Sequence, residues 1–333
     1  MAPAVSGIIW REQKMITNSV IKVGDGRGFV VEGVDGTRYV ITAAHCLPNL
    51  PVPHGLSYTE ERTYPKLLGR LGEEPSAWAE CVFVDPVADI AVLSEPDNQE
   101  LGEQAEAYGA LVEAVTPFTI AEPQGKPIAE EANRILPHLP RDIDWDTAIR
   151  KWVMHECPAR LLSLDNQWFP CTVQYFPDHA LMIKNATLGI MGGMSGSPII
   201  AEDGTAIGIV CLAVGLDDRA TEGGPNPRLM NNLPGWLLKK LRTAVPEYVK
   251  EFCRWQNAPA AEKDRIAIEV AMQRKQSGPD WAHCDHPLDT VAPNGKLLGD
   301  CTGEDLSELA AWEHALAKAE QFLAERGPGP KAL

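Results

Sequence analysis

Through residue 93 the apolar positions fall in short runs, separated by glycine, proline and aspartate. Ser19–Val23 alternates, and Gly24-Asp25-Gly26-Arg27-Gly28 reads as a turn or bulge. Gly28–Gly33 and Thr37–Thr42 read as strands joined at Asp35-Gly36, a dipeptide suited to a tight hairpin turn. Cys81–Val84 and Asp89–Leu93 are strand-like again, while the proline-rich Leu47–Leu67 reads as a loop. These pieces predict a small antiparallel barrel, in which closure removes exposed edges. Acidic Glu103–Glu113 and helical patches at Ala129–Leu136 and Trp145–Trp152 interrupt the pattern. It resumes at Ala159–Leu164, Gln167–Tyr175, Ala180–Lys184, Pro198–Ala201 and Ala206–Val214, with turns at Asp165-Asn166, Pro177-Asp178 and Asp203-Gly204.

Asn232 can cap a helix that starts at Pro234 and carries Lys239, Lys240 and Arg242 in its last turn, where cations suit the helix dipole. Beyond Pro246 the periodicity is helical. Thr302 to Asp305 resembles a capping box, and Gly327 supplies a stop. Leu309, Trp312, Leu316, Ala319 and Leu323 repeat at three-four spacing, a seam expected to dock on the body of the protein.

The candidate chemistry sits in Gly192-Gly193-Met194-Ser195-Gly196-Ser197-Pro198. Glycines around a serine let the backbone take positive φ and set N–H groups side by side. The serine oxygen then lies where an oxyanion would form during acyl transfer. A hydroxyl is a weak nucleophile alone and needs a base and a group that orients the base. Tyr39-Val40-Ile41-Thr42-Ala43-Ala44-His45-Cys46 offers the base, and Asp85-Pro86-Val87-Ala88-Asp89-Ile90-Ala91-Val92-Leu93 offers the orienter.

Thr42-Ala43-Ala44-His45-Cys46, Asp89-Ile90-Ala91-Val92-Leu93 and Gly193-Met194-Ser195-Gly196-Ser197-Pro198, in that order, resemble the trypsin/chymotrypsin-like serine peptidases, most of all the bacterial trypsin-like and HtrA types. The resemblance covers roughly 19–241. It implies a mainly β fold of two six-stranded-type antiparallel barrels, to which the sequence adds a C-terminal α-helical extension. It assigns Ser195 as nucleophile, His45 as general base and Asp89 as orienter, because the family's aspartate directly precedes an apolar strand; Asp85 is the competitor. The oxyanion hole would use the N–H groups of Gly193 and Ser195. Ser197 departs from the more common second glycine, and its hydroxyl is expected to find nearby backbone. Met194 stands where secreted zymogens carry an aspartate, so it cannot accept a newly cut N-terminus, and regulation must work otherwise. The substrate pocket falls on Gly189, six before the nucleophile, and on Ala213, Val214 and Gly215. No acid is among them, so a basic P1 side chain would be buried without a partner. A small or medium apolar P1 residue is expected.

The net charge of −16 disfavours nucleic acid and anionic membrane as partners. No apolar run reaches the length of a membrane span. Arg11 and Lys14 follow the N-terminal apolar residues, the wrong polarity for a secretory signal. Secreted relatives bridge the cysteine beside the histidine to an upstream one. Here Cys46 is the first cysteine of the chain, and the cysteines are read as buried small apolar residues of a cytoplasmic, bacterial protein. His283-Cys284-Asp285-His286 and Cys301 fit no standard zinc spacing and are read as a connecting loop. No metal or organic cofactor is expected.

The expected organisation is a lead-in over 1–18, a peptidase domain over 19–245 and a helical extension over 246–333. Within the domain lie a first barrel at about 19–115, a linker at 116–152, a second barrel at about 153–230 and a closing helix at 233–242. The expected function is a serine endopeptidase acting on protein or peptide substrates, regulated by its extension or by a protein partner bound to those helices. The alternative is a catalytically idle protein-binding module on the same scaffold. The PDZ domain usual in HtrA-type proteins is β-rich, and the tail here is not.

Overall fold

The computed structural model describes residues 19–51, 62–97, 99–135, 153–176, 179–211, 220–244, 247–277 and 302–325. The chain divides into two compact units, 1–143 with 151–243, and 144–150 with 244–333.

In the first unit, β1 (Val20–Val23), β2 (Gly26–Glu32), β3 (Arg38–Thr42), β4 (Thr63–Arg70), β5 (Ala77–Asp85) and β6 (Ile90–Ser94) form a closed antiparallel barrel in the order β1-β2-β3-β6-β5-β4. Phe29, Val30, Val40, Ile41, Ile90, Val92 and Leu68 fill its interior and the seams around it. The β2–β3 hairpin turns where the sequence places Asp35-Gly36: Gly36 has φ 88°, and Asp35 Oδ1 accepts from the Thr37 N–H at 2.9 Å.

Within and beside the first barrel, two elements escaped the sequence pattern. β4 begins inside the segment read as a loop. Its Tyr64, Leu67 and Leu68 are buried, but Pro65 and Lys66 are exposed at an irregularity in the pairing, and Lys66 has φ 49°. The interruption hides the strand. α1 (Gly102–Glu113) occupies the acidic stretch and buries only Tyr108 and Val112, too narrow a stripe to stand out; the Tyr108 hydroxyl donates to Arg38 O at 2.9 Å. α2 (Ala129–Ile135) forms where a helical patch was expected, whereas the patch at 145–152 lies outside the described residues.

The second sheet has β7 (Lys126–Pro127), β8 (His155–Leu162), β9 (Trp168–Tyr175), β10 (Leu181–Lys184), β11 (Pro198–Ala201), β12 (Ala206–Ile209) and β13 (Gly223–Asn226). The order is β12-β11-β8-β9-β10-β13, with β7 on β8. It curls around Leu161, Val173, Leu181, Ile183, Ile199 and Ile207. No full strand pairing joins β12 to β13. The segment after β13 meets β12 through a Gly208–Arg228 bridge, and the Cys211 N–H reaches Asn226 Oδ1 at 2.8 Å. The architecture is the mainly β, double-barrel, chymotrypsin-like one, with the second barrel closed by side chain and bridge.

The helix expected at 233–242 is shorter. α3 (Leu229–Asn232) and α4 (Gly235–Leu238) are single turns. Asn232 Oδ1 accepts from the Arg228 N–H at 2.9 Å, so it closes the turn before it rather than capping the one after. Leu241 then pairs with Gly33, and the Arg242 N–H donates to Glu32 O at 2.8 Å, which draws the chain straight along the first barrel.

In the second unit, α5 (Glu247–Gln256), α6 (Ala260–Ser277) and α7 (Gly303–Glu325) pack around Trp312. Its ring centroid lies 5.3 Å from Trp255 and 6.3 Å from Phe252. Leu309, Trp312, Leu316 and Ala319 are buried against residues of α5 and α6. The seam therefore finds its cover on the neighbouring helices of its own unit. No helix among the described residues is long and apolar enough to cross a membrane.

Candidate active site

His45 stands on a short helical turn, Ala44–Cys46, directly after β3. Asp89 precedes β6, the neighbour of β3 in the barrel, so strand pairing alone brings the two together. Asp89 takes a left-handed backbone with φ 58°, which turns its carboxylate onto the histidine. Oδ2 lies 2.7 Å from His45 Nδ1, and Oδ1 accepts from the His45 main-chain N–H at 2.9 Å. The Asp89 carbonyl also accepts from the Ala44 N–H at 3.2 Å and the Cys211 thiol at 3.3 Å. Asp85 has other work: its Oδ1 accepts from the Val87 and Ala88 N–H groups at 2.9 and 3.0 Å and shapes the turn.

Ser195 and His45 line one cleft of about 470 Å³, together with Gly193 and a wall of Gly24, Gly26, Pro65 and Leu67. The structure does not join the two side chains: Ser195 Oγ points to Cys211 O at 3.5 Å, and no hydrogen bond links it to His45. Gly193 has φ 86° and Gly196 φ 82°. The Gly193 and Ser195 N–H groups donate to nothing among the described residues, while the intervening Met194 N–H bonds to Met191 O at 3.2 Å. Two unused donors beside a hydroxyl form a place for a developing anion. Gly196 cannot be another residue: a β-carbon there would fall 1.8 Å from Arg27 O. Met194 is fully buried in the core of the second barrel. Ser197 Oγ is buried without a hydrogen-bond partner among the described residues, against the expectation that it would bond backbone.

Gly189 is buried in a turn, with φ 79° and its N–H on Ala186 O at 3.1 Å, and does not line the cleft. Its conformation alone accounts for a glycine. Ala213, Val214 and Gly215 lie outside the described residues, as do His283-Cys284-Asp285-His286 and Cys301. Among the described residues no group of three or more histidine, cysteine, aspartate and glutamate side chains could hold a metal ion.

The cleft also contains Cys46 of the histidine motif, and Asp25, Leu47, Pro48 and Lys66, which the motifs did not single out. The glycine alternation of Gly24, Gly26 and Gly28 was the available signal, since such spacing marks close backbone approach. Cys46, Cys81, Cys157, Cys171 and Cys211 are buried free thiols. Burial pushes the Cys46 thiol up to about 11, so it is a packing group rather than a nucleophile at neutral pH.

The sequence model of the trypsin-like peptidase domain matches residues 26–209, more than half of the chain. No curated protein matches it significantly. Solved structures that match include the Rv3671c protease of M. tuberculosis in an inactive form, at 16% identity, covering 67% of this chain and 90% of that one with a TM-score of 0.35. An HtrA-type protease, AlgW, with a tripeptide is 12% identical over 63% of this chain and 56% of its own, TM-score 0.33. The protease domain of MamO from Magnetospirillum magneticum is 14% identical over 67% and 95%, TM-score 0.32. With this sequence match and this double-barrel fold, the chain belongs to the trypsin-like peptidase family.

Proposed function

We propose that the protein is a serine endopeptidase using His45, Asp89 and Ser195. The observation that carries this reading is His45, doubly bonded to Asp89 and set in one cleft with Ser195, beside two N–H donors that have no partner among the described residues. Asp89 holds His45 with Nδ1 protonated, which leaves Nε2 free as a base. Rotation of Ser195 about its Cα–Cβ bond carries Oγ from Cys211 O toward that nitrogen; such bonds tighten when substrate is bound. His45 takes the hydroxyl proton as Oγ attacks the peptide carbonyl. The anionic oxygen is received by the Gly193 and Ser195 N–H groups, and His45 passes the proton to the leaving amine. Water, deprotonated by His45, then releases the acyl group.

The P1 preference is for small or medium apolar side chains, from the absence of an acid at Ala213, Val214 and Gly215. Buried free thiols favour a reducing, cytoplasmic setting, and the helical unit is the part available to a regulating partner. A fluorophosphonate probe tests the central assignment. It should label Ser195, labelling should vanish in Ser195→Ala, and peptide turnover should fall by about four orders of magnitude. An unlabelled wild type would instead favour the idle binding module, the reading consistent with Ser195 Oγ resting on Cys211 O.

A further inference from the structure

Arg27 is 5% exposed and lies on β2 of the first barrel, yet its guanidinium ends in the second. Nη1 donates to Leu162 O at 3.1 Å and Ser163 O at 3.0 Å, and Nη2 to Leu164 O at 3.3 Å. These three carbonyls end β8 and open the turn to β9. No carboxylate pairs with the cation among the described residues, and burial holds its pKa below the usual arginine value. A desolvated charge satisfied only by carbonyl dipoles is a costly choice for simple packing, where an apolar side chain would serve.

The main chain of the same residue grips the proposed nucleophile's loop. The Arg27 N–H donates to Ser195 O at 2.7 Å. Its carbonyl accepts from Thr42 Oγ1 at 2.6 Å and occupies the space beside the Gly196 α-carbon. The turn held by the guanidinium returns to the same loop from the other side. The Leu164 side chain, 42% exposed, places Cδ2 3.6 Å from where a β-carbon at Gly193 would stand. Arg27 thus touches Ser195 through its backbone and faces Gly193 through the turn it carries.

We infer that Arg27 is a positioning residue for the oxyanion hole: its fork sets the Leu162–Leu164 turn against Gly193, and so fixes the two N–H donors relative to Ser195 Oγ. This rests on the serine-peptidase reading of the site. The guanidinium is suited to the task because its planar N–H fork fixes direction as well as charge, which a lysine ammonium does not. Loss of the fork leaves His45, Asp89 and the Ser195 hydroxyl in place and loosens only the receiver of the negative charge.

The test follows fluorophosphonate inactivation of the full chain, resolved into the maximal rate constant and the half-saturating concentration. Arg27→Met should lower the maximal rate about 10- to 100-fold, below the loss of a whole donor, with the half-saturating concentration changed less than about threefold. The pH dependence of the rate should keep its wild-type midpoint. Arg27→Lys, which keeps the charge and loses the fork, should recover only part of the rate, and it carries the test if Arg27→Met does not fold. Three outcomes overturn the inference: wild-type rates in the folded variants, full recovery in Arg27→Lys, or a lower rate with a displaced pH midpoint. A wild type that never labels overturns the peptidase reading and this inference with it. A labelling wild type with equally fast Arg27 variants overturns the inference alone.

Discussion

The Cys46 thiol fills the space a side chain at Gly26 would need: a β-carbon on Gly26 would lie 2.4 Å from Cys46 Sγ, and 2.8 Å from Ser195 O. Gly26 has no positive φ, so the requirement is for room and not for an unusual backbone. Gly26→Ala should therefore overpack the floor of the cleft and cost about 1–3 kcal/mol. Cys46→Ala removes the thiol and should restore part of that loss in the double variant. A denaturation cycle over the four proteins checks this, and additive losses would show that the two sites do not touch in solution.

Asp89 and Asp85 are four residues apart and make opposite predictions. Asp89→Asn keeps the shape but offers an amide to His45 Nδ1, which favours the wrong tautomer for a base at Nε2. Its turnover should fall by about four orders of magnitude. Asp85→Asn keeps an oxygen for the Val87 and Ala88 N–H groups and should leave turnover within about threefold, since the turn survives. Fluorophosphonate rates of the two variants, measured side by side, decide it. Equal losses would remove Asp89 from its assigned role.

Those two aspartates mark how far the sequence could be read. The strand pattern, the hairpin at Asp35-Gly36 and the order of His45, Asp89 and Ser195 are local signals. Pairing of β3 with β6 turns that order into a contact. Other features depend on contacts distant in sequence. β4 is masked by Pro65, α1 by its glutamates, and the closing helix is cut short by pairing of Leu241 with Gly33. Arg27 reads as part of a turn, because nothing local shows that its side chain ends on residues 162–164. The cleft wall from Pro65 to Leu67 comes from the same hidden strand.

The buried thiols predict an alkaline limit. Burial raises Cys46 and Cys81 to about 11, and Cys157 and Cys171 to about 12, from a reference of 9.0. The folded state therefore keeps protons that the unfolded chain sheds above about pH 9. The resulting stabilisation is complete below that pH and is lost as pH rises toward 11–12. Urea midpoints should fall steadily from pH 9 upward, and a Cys46→Ala, Cys81→Ala double variant should show a shallower fall. A flat profile to pH 11 would contradict the burial of these groups. At pH 8 the same thiols should resist alkylation in the native protein and react on unfolding.

Ser197 and Gly196 adjoin the nucleophile and should respond in opposite ways. Ser197 is fully buried, and its Oγ has no hydrogen-bond partner among the described residues. Deleting that hydroxyl removes a desolvated polar group and leaves only a small void, so Ser197→Ala should be neutral or more stable by about 1 kcal/mol. Its Ser195 labelling rate should be unchanged, because the Ser197 N–H still bonds to Met194 O at 3.0 Å. Gly196→Ala combines φ 82° with a β-carbon 1.8 Å from Arg27 O and 2.6 Å from Thr42 Oγ1. The loop must move away from β2, which breaks the bond from the Arg27 N–H to Ser195 O and shifts Oγ in the cleft. Thermal melts and probe labelling of both variants provide the check. Loss of stability in Ser197→Ala would mean that its hydroxyl is bonded in solution, and a fully reactive Gly196→Ala would mean that Ser195 does not depend on the close approach of β2.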